Sequence, residues 1–301
     1  MILCYFIVLL IVLVRVAFIT LLEQKVLRGF QIRVGPNKVG YWGILQPFAD
    51  ALKLFSKENV ILQRVNFFLY LLRPIVGLFL RLVLWYVFPF YNWGLDFVLG
   101  FFFFICVSGL SLYPILGAGW SSNCKYSILG CLRAVAQIIS YEVRLILVIL
   151  SVIVFRGRFR MGYIIINQYW VWYLILCFPL RLIWFVSSLA ETNRSPFDFA
   201  EGESELVSGF NTEYGSSGFT LVFIAEYANI LFMRILFVIL FLGARFNFIL
   251  VLKGVFVSFC FIWVRGTIPR YRYDKLIRLA WKVFLPISLF FFIYNIFLRI
   301  V

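Results

Sequence analysis

Long apolar segments alternate with polar connections along this chain, at approximately 2–22, 67–90, 97–117, 127–154, 167–189, 217–242, 247–264 and 279–300. Each is near the ~20 residues an α-helix needs to cross the hydrocarbon core of a bilayer. A backbone in lipid must satisfy its own hydrogen bonds, and a barrel would show alternating strands of roughly ten residues, so the segments predict helices. The expected fold class is an all-α membrane protein, a single polytopic domain over 1–301 with eight transmembrane helices. Segment 2–22 is apolar apart from Arg15, and no small-residue cleavage site follows it, so it reads as a retained first span.

Two connections are long, 23–66 and 190–216. Within the first, Arg33-Val-Gly-Pro-Asn-Lys38 carries the chemistry of a tight turn. After it Leu45, Phe48, Leu52 and Phe55 recur at helical spacing, with Asp50, Lys53 and Lys57 on another face. That pattern predicts an amphipathic helix lying at the interface, either a lipid-floating anchor or the floor of an intramembrane cavity. Basic residues orient the whole: fourteen lie on the side of both long connections and five on the other. The positive-inside bias puts the long connections inside and both termini outside.

The second connection is acidic. Between Glu191 and Glu226 lie Glu191, Asp198, Glu201, Glu203, Glu205, Glu213 and Glu226, with Arg194 as the only cation before Arg234. Crowded carboxylates raise one another's pKa, and an apolar surround raises it further, which suits groups that exchange protons near neutral pH. A solvated acidic loop is the plainer meaning of such a run. Its place between two apolar segments favours the proton-handling reading. The sequon Asn193-Arg194-Ser195 lies on the inner side and is a chance match.

Ionisable residues inside the spans are costly and by default functional. Glu142 lies in the fourth span near Arg133, Gln137, Tyr141 and Arg144; Arg133, Gln137, Ser140 and Arg144 share a face from which Glu142 points away. In the sixth span Glu226 sits near Asn229 and Arg234. A neutralised structural pair would explain either acid alone; two of them plus the loop point to a proton route. Arg73, Arg81 and Arg181 read as lipid-headgroup or partner contacts.

Composition agrees and narrows the chemistry. Hydrophobic residues make up 64%, charged residues 14%, and mean hydropathy is +1.00, far from a soluble domain. There is no histidine, so His-ligated haem or metal and imidazole catalysis are excluded. The six cysteines form no C-x-x-C pair and read as core thiols, so neither an iron–sulfur cluster nor a zinc site is encoded. No Gly-rich fingerprint marks a nucleotide or flavin site. The net charge of +15 suits anionic lipid such as cardiolipin, and acidic partner subunits, rather than nucleic acid.

The blocks Glu191-Thr-Asn-Arg-Ser-Pro-Phe-Asp198 and Ala200-Glu-Gly-Glu-Ser-Glu-Leu-Val-Ser-Gly-Phe-Asn-Thr-Glu-Tyr214 closely resemble the signature of the subunit 1 family of respiratory NADH dehydrogenase, complex I. The similarity extends through Arg33–Asn37, Leu45–Phe55, Leu132–Val143, Ala225–Asn229 and Pro269–Leu276, in order along nearly the whole chain. The resemblance implies an eight-span subunit, partly antiporter-like in helix arrangement. It would form much of the ubiquinone chamber beneath the peripheral subunits that carry the last iron–sulfur cluster, and touch neighbouring membrane-arm subunits. Carried over by position, Glu191, Arg194, Asp198, Glu201, Glu203 and Glu205 match the charged loop beside the chamber. Glu142, Glu213 and Glu226 match acids leading toward the membrane arm, with Arg133 a cation on that route. Glu23, Arg33, Asp50 and Arg270 match charged residues around the chamber. Apolar or small residues are expected where Arg73, Arg81, Arg144 and Arg181 stand, and the connection at Gly243–Asn247 is short for the family.

The reading is thus a non-redox subunit, not catalytic alone, that couples reduction of its substrate ubiquinone to proton translocation. Its place is the mitochondrial inner membrane, as the family and 37 phenylalanines from a thymine-rich organellar genome suggest. A proton-coupled secondary transporter, a structural anchor for the peripheral arm, and the homologous subunit of a membrane-bound hydrogenase are the rivals.

Overall fold

A computed structural model of the chain describes residues 2–58, 65–88, 97–168, 172–199, 202, 209–243 and 248–300. Every regular element among them is helical. The helices are α1 (Ile2–Phe30), α2 (Gln46–Ser56), α3 (Phe67–Val83), α4 (Gly100–Leu110), α5 (Leu112–Ser121), α6 (Lys125–Arg156), α7 (Met161–Asn167), α8 (Tyr173–Leu176), α9 (Phe178–Glu191), α10 (Ser216–Phe237), α11 (Phe248–Thr267), α12 (Tyr273–Leu279) and α13 (Leu285–Ile300).

Seven helical stretches among the described residues are long and apolar enough to cross a membrane. They correspond to seven of the eight expected spans. The remaining segment, expected as one span over 167–189, is divided. Its helix α8 stops at Leu176, and α9 begins at Phe178 with Pro179 in its first turn. Proline lacks an N–H and its ring crowds the carbonyl four residues back, which suits it to the first turn of a new helix here, although α3 runs on through Pro74. Pro114 acts in the same way at Ser111, where α4 gives way to α5. The apolar pattern registers composition, and it does not register these breaks.

The 32-residue α6 is the axis. Its buried Tyr141, Leu145, Val148, Ile149 and Val152 run through the main core. Around it pack α5, α9, α13 and the 3-10 turn Gly209–Asn211, while α10 packs on α3 and α1. The outer faces of α1, α11 and α13 carry exposed Phe6, Phe256, Phe290 and Phe297. In a bilayer those faces are solvated by lipid tails, so apolar exposure carries no penalty there.

Helix α10 ends in a π turn, Val238–Leu242, which leaves carbonyls without their usual donors. The side-chain amide of Gln168, buried at 2% exposure, donates to the carbonyls of Ile239 at 3.1 Å and Leu240 at 2.8 Å. Lys253 Nζ donates to the Leu242 and Gly243 carbonyls at 2.8 and 2.6 Å. Irregular backbone at membrane depth persists where side chains satisfy it in this way.

The amphipathic helix expected after the first turn is α2. It packs beside α1 and α10, with Phe48 edge-on to Phe18, and leaves Leu52 and Phe55 exposed.

Candidate functional site

The acidic connection begins where α9 ends, and local hydrogen bonds set its first residue. Thr192 Oγ1 donates to the carbonyls of Ser188 and Leu189, at 3.0 and 3.1 Å. Asn193 turns through the left-handed region at φ 49°, and the Phe197 N–H closes on the Arg194 carbonyl at 2.8 Å. From α6 the fully buried Gln137 donates through Nε2 to the Ala190 carbonyl at 2.8 Å and the Phe197 carbonyl at 2.9 Å. One amide therefore pins both arms of the turn. Glu191 is held inward at 3% exposure, with Oε2 lacking any hydrogen-bond donor among the described residues.

That carboxylate opens onto a cavity of about 70 Å³ between α3, α5, α9 and α10. A water molecule needs about 10–15 Å³ measured this way, so several fit. Glu191, Glu226, Arg81, Ser111, Asn193 and Asn229 supply its polar lining; Pro74, Pro114, Ile115 and Val222 supply apolar wall. Arg81 lies within electrostatic reach of Glu191, Glu226 and Glu142, in falling order. Glu142 itself leaves α6 toward α4 and accepts a hydrogen bond from Ser108 Oγ at 3.1 Å.

A second polar cluster lies behind the first. Glu23 on α1 accepts a hydrogen bond from Tyr227 Oη at 2.7 Å and pairs with Arg265 at the end of α11. A cavity of about 20 Å³ joins Glu23, Arg194, Arg234 and Arg265. Arg194 bridges the two clusters. Its Nη2 is 4.0 Å from Glu226 Oε2, and its guanidinium lies 4.3 Å over the ring of Tyr227. Acids from three distant parts of the sequence thus meet across one pair of polar spaces.

The family model described as NADH dehydrogenase matches residues 3–296. The chain belongs to the NADH dehydrogenase family. Curated relatives are named NADH-ubiquinone oxidoreductase chain 1. That of Anopheles gambiae is 56% identical over 286 residues, covering 94% of this chain and 91% of the relative. The Locusta migratoria protein has the same identity and coverage. That of Artemia franciscana is 53% identical over 281 residues, covering 93% of each.

Within this NADH dehydrogenase family member, the predicted residues divide by place. Glu191 and Glu226 share the larger cavity, while Arg194 and Glu23 share the smaller. Glu142 is adjacent to the larger through Arg81. Half-buried Asp198 follows the turn that Gln137 holds. Arg270 covers the ring of Phe199 at 5.4 Å and abuts Gly202. Arg133 is half-buried on α6, on the side of Tyr273. Asp50 accepts from Gln46 Nε2 at 2.8 Å within α2, and Arg33 is exposed beyond the end of α1. Asp198, Arg270, Arg133, Asp50 and Arg33 line neither cavity. Glu201, Glu203 and Glu205 lie outside the described residues.

Glu213 reaches neither cavity lining; its carbonyl accepts from Tyr70 Oη at 2.7 Å. Tyr70 and Tyr214 stack there at 4.4 Å, fastening the far end of the connection to α3. Burial pushes the Tyr214 phenol up to about 12, against a lowering hydrogen bond from Ser121.

Arg73 and Arg81 correct the sequence reading. Expected as headgroup or partner contacts, they face the cavity, and Arg81 is 8% exposed. The helix around α3 turns that face toward α5 and α10, which hydropathy alone does not register. Arg181 is half-buried against the Phe178 ring at 4.5 Å. Tyr227, Ser108 and Arg265 were not singled out as site residues. Tyr227 directly follows Glu226 in a recognisable block, which was the available signal; nothing local marks the other two.

Proposed function

We propose that this chain is the membrane subunit of NADH:ubiquinone oxidoreductase that borders the ubiquinone chamber and couples quinone reduction to proton translocation. The observation that carries the reading is the shared cavity of Glu191 and Glu226, deep among spanning helices and roomy enough for water. Water between carboxylates offers a path for protons where bare apolar packing offers none. Gln137 ties Glu191 to the turn containing Arg194 and Asp198, so a change of charge near that turn would alter the cavity electrostatically. Carboxylates so placed respond to a neighbouring charge by shifting their protonation. Glu142 and Glu226 would carry the response onward; Arg194 would favour the ionised form of Glu226. Glu201, Glu203, Glu205 and Glu213 would extend the acidic path, with Glu23, Arg33, Asp50 and Arg270 around the quinone chamber and Arg133 on the route.

In this reading the chain works with the quinone-module and membrane-arm subunits of complex I. It sits in the mitochondrial inner membrane with its termini outward and anionic lipid at its basic inner edge. Ubiquinone is a substrate; the electron carriers belong to other subunits.

The test is to replace Glu191 and Glu226 singly by Gln in the assembled complex, measuring NADH:quinone turnover and proton uptake together. Pumping should fall by tenfold or more, with assembly retained. Normal turnover and normal pumping in both variants would instead leave the carboxylates as docking charges for the peripheral arm.

A further inference from the structure

Three arginines inside spanning helices leave buried guanidinium nitrogens without hydrogen-bond acceptors among the described residues. Arg144 is 1% exposed in the middle of α6. Its guanidinium folds back onto its own helix, with Nε and Nη2 both crowding the Ser140 carbonyl and Nη1 lacking an acceptor. The neighbouring ring is Tyr141, and no carboxylate pairs with it among the described residues. Arg234, 5% exposed in α10, leaves Nε and Nη1 without acceptors, and the charge acting on it most strongly is the like charge of Arg194. Arg81, 8% exposed in α3, leaves Nη1 unsatisfied even though the cavity acids lie in its field. A buried cation normally has its donors paired. These three break that rule in the same way.

Serines in these helices do the opposite. Ser121, Ser151, Ser187, Ser258 and Ser288 each donate to the carbonyl three residues before, so every one is satisfied within its own turn. A hydroxyl at 144 would have in reach the Tyr141 carbonyl three residues before it and the Ser140 carbonyl that the guanidinium now crowds. At 81 and 234 the helix continues unbroken through the preceding turn and offers the same acceptor.

We infer that positions 81, 144 and 234 hold serine in the protein as the cell makes it. The triplets AGA and AGG share a codon box with the serine triplets AGU and AGC. A translation system whose serine tRNA reads the whole box would place serine wherever an AGA or AGG is otherwise taken as arginine. This converts three unsatisfied buried cations into three hydroxyls, each with a carbonyl of its own helix in reach. It does not depend on the proposed function, since the proton route described above draws on the carboxylates, Arg194 and Arg133, and on none of these three positions.

The test is tandem mass spectrometry of this subunit from the native membrane complex. Chymotryptic peptides suit it, because the abundant aromatic residues give cuts independent of arginine. Serine at all three positions, with the corresponding loss of mass from each peptide, is the expected result. Arginine, or any residue other than serine, at any one of them overturns the inference. Reading the gene gives an independent check: AGA or AGG is expected at all three, and a CGN triplet at any of them overturns it.

Discussion

The Gln137 side chain and the Phe197 carbonyl meet at 2.9 Å across 60 residues of sequence, joining the central helix to the charged connection. The same amide reaches Ala190, so its loss frees two carbonyls at once. Leaving a buried acceptor unsatisfied costs about 1–3 kcal/mol. Gln137→Leu is expected to loosen the turn, raising protease sensitivity at 192–199 and lowering coupled turnover severalfold. Gln137→Met would keep the length but lose both donors, and should behave like the Leu variant. Unchanged proteolysis in both would show that the clamp does not hold the turn.

Tyr227 and Glu23 tie α10 to α1, and Arg265 brings in α11. Tyr227→Phe removes one hydrogen bond and should cost about 0.5–1.5 kcal/mol. Glu23→Ala takes the acceptor away from both partners and should reduce the yield of assembled complex more strongly. Native-gel quantification of the two variants orders them; a larger loss from Tyr227→Phe would contradict the shared role of Glu23.

Tyr214 gives the clearest pH dependence outside the spans. Its ordinary value is 10.0 and burial raises it to about 12, so the folded protein holds the phenol proton more tightly than the unfolded chain. The corresponding stability is full below pH 10 and is lost as pH rises from 10 toward 12. Ultraviolet phenolate titration of the wild type minus Tyr214→Phe should place the missing component in that range. A missing component that titrates below pH 10 would mean the ring is not buried against Tyr70.

At Gly202 a methyl group would run into the guanidinium of Arg270. Gly202→Ala should push Arg270 off the Phe199 ring and raise the KM for quinone, with little effect on assembly. At Gly215, where an added Cβ meets nothing within 4 Å, alanine should leave quinone kinetics unchanged. Equal kinetics in the two variants would remove Arg270 from the chamber's surroundings.

Much was legible before any coordinates. Seven spans, the interfacial α2 and the acidic connection follow from hydropathy and charge, because lipid demands long apolar helices and water demands charge. The blocks around Glu191 and Glu226 were legible too, as residue types that membranes otherwise exclude. What the chain order could not supply was which of these groups meet. Glu23 and Tyr227 are 204 residues apart, yet one hydrogen bond joins them. The burial of Arg81 is likewise decided by the face α3 turns toward α5 and α10. Hydropathy is a property of each segment alone, whereas a cavity, a clamp or an unsatisfied guanidinium exists only between segments. Sequence therefore determined the kind of protein and most of its spans, and tertiary packing decided which carboxylates share a cavity.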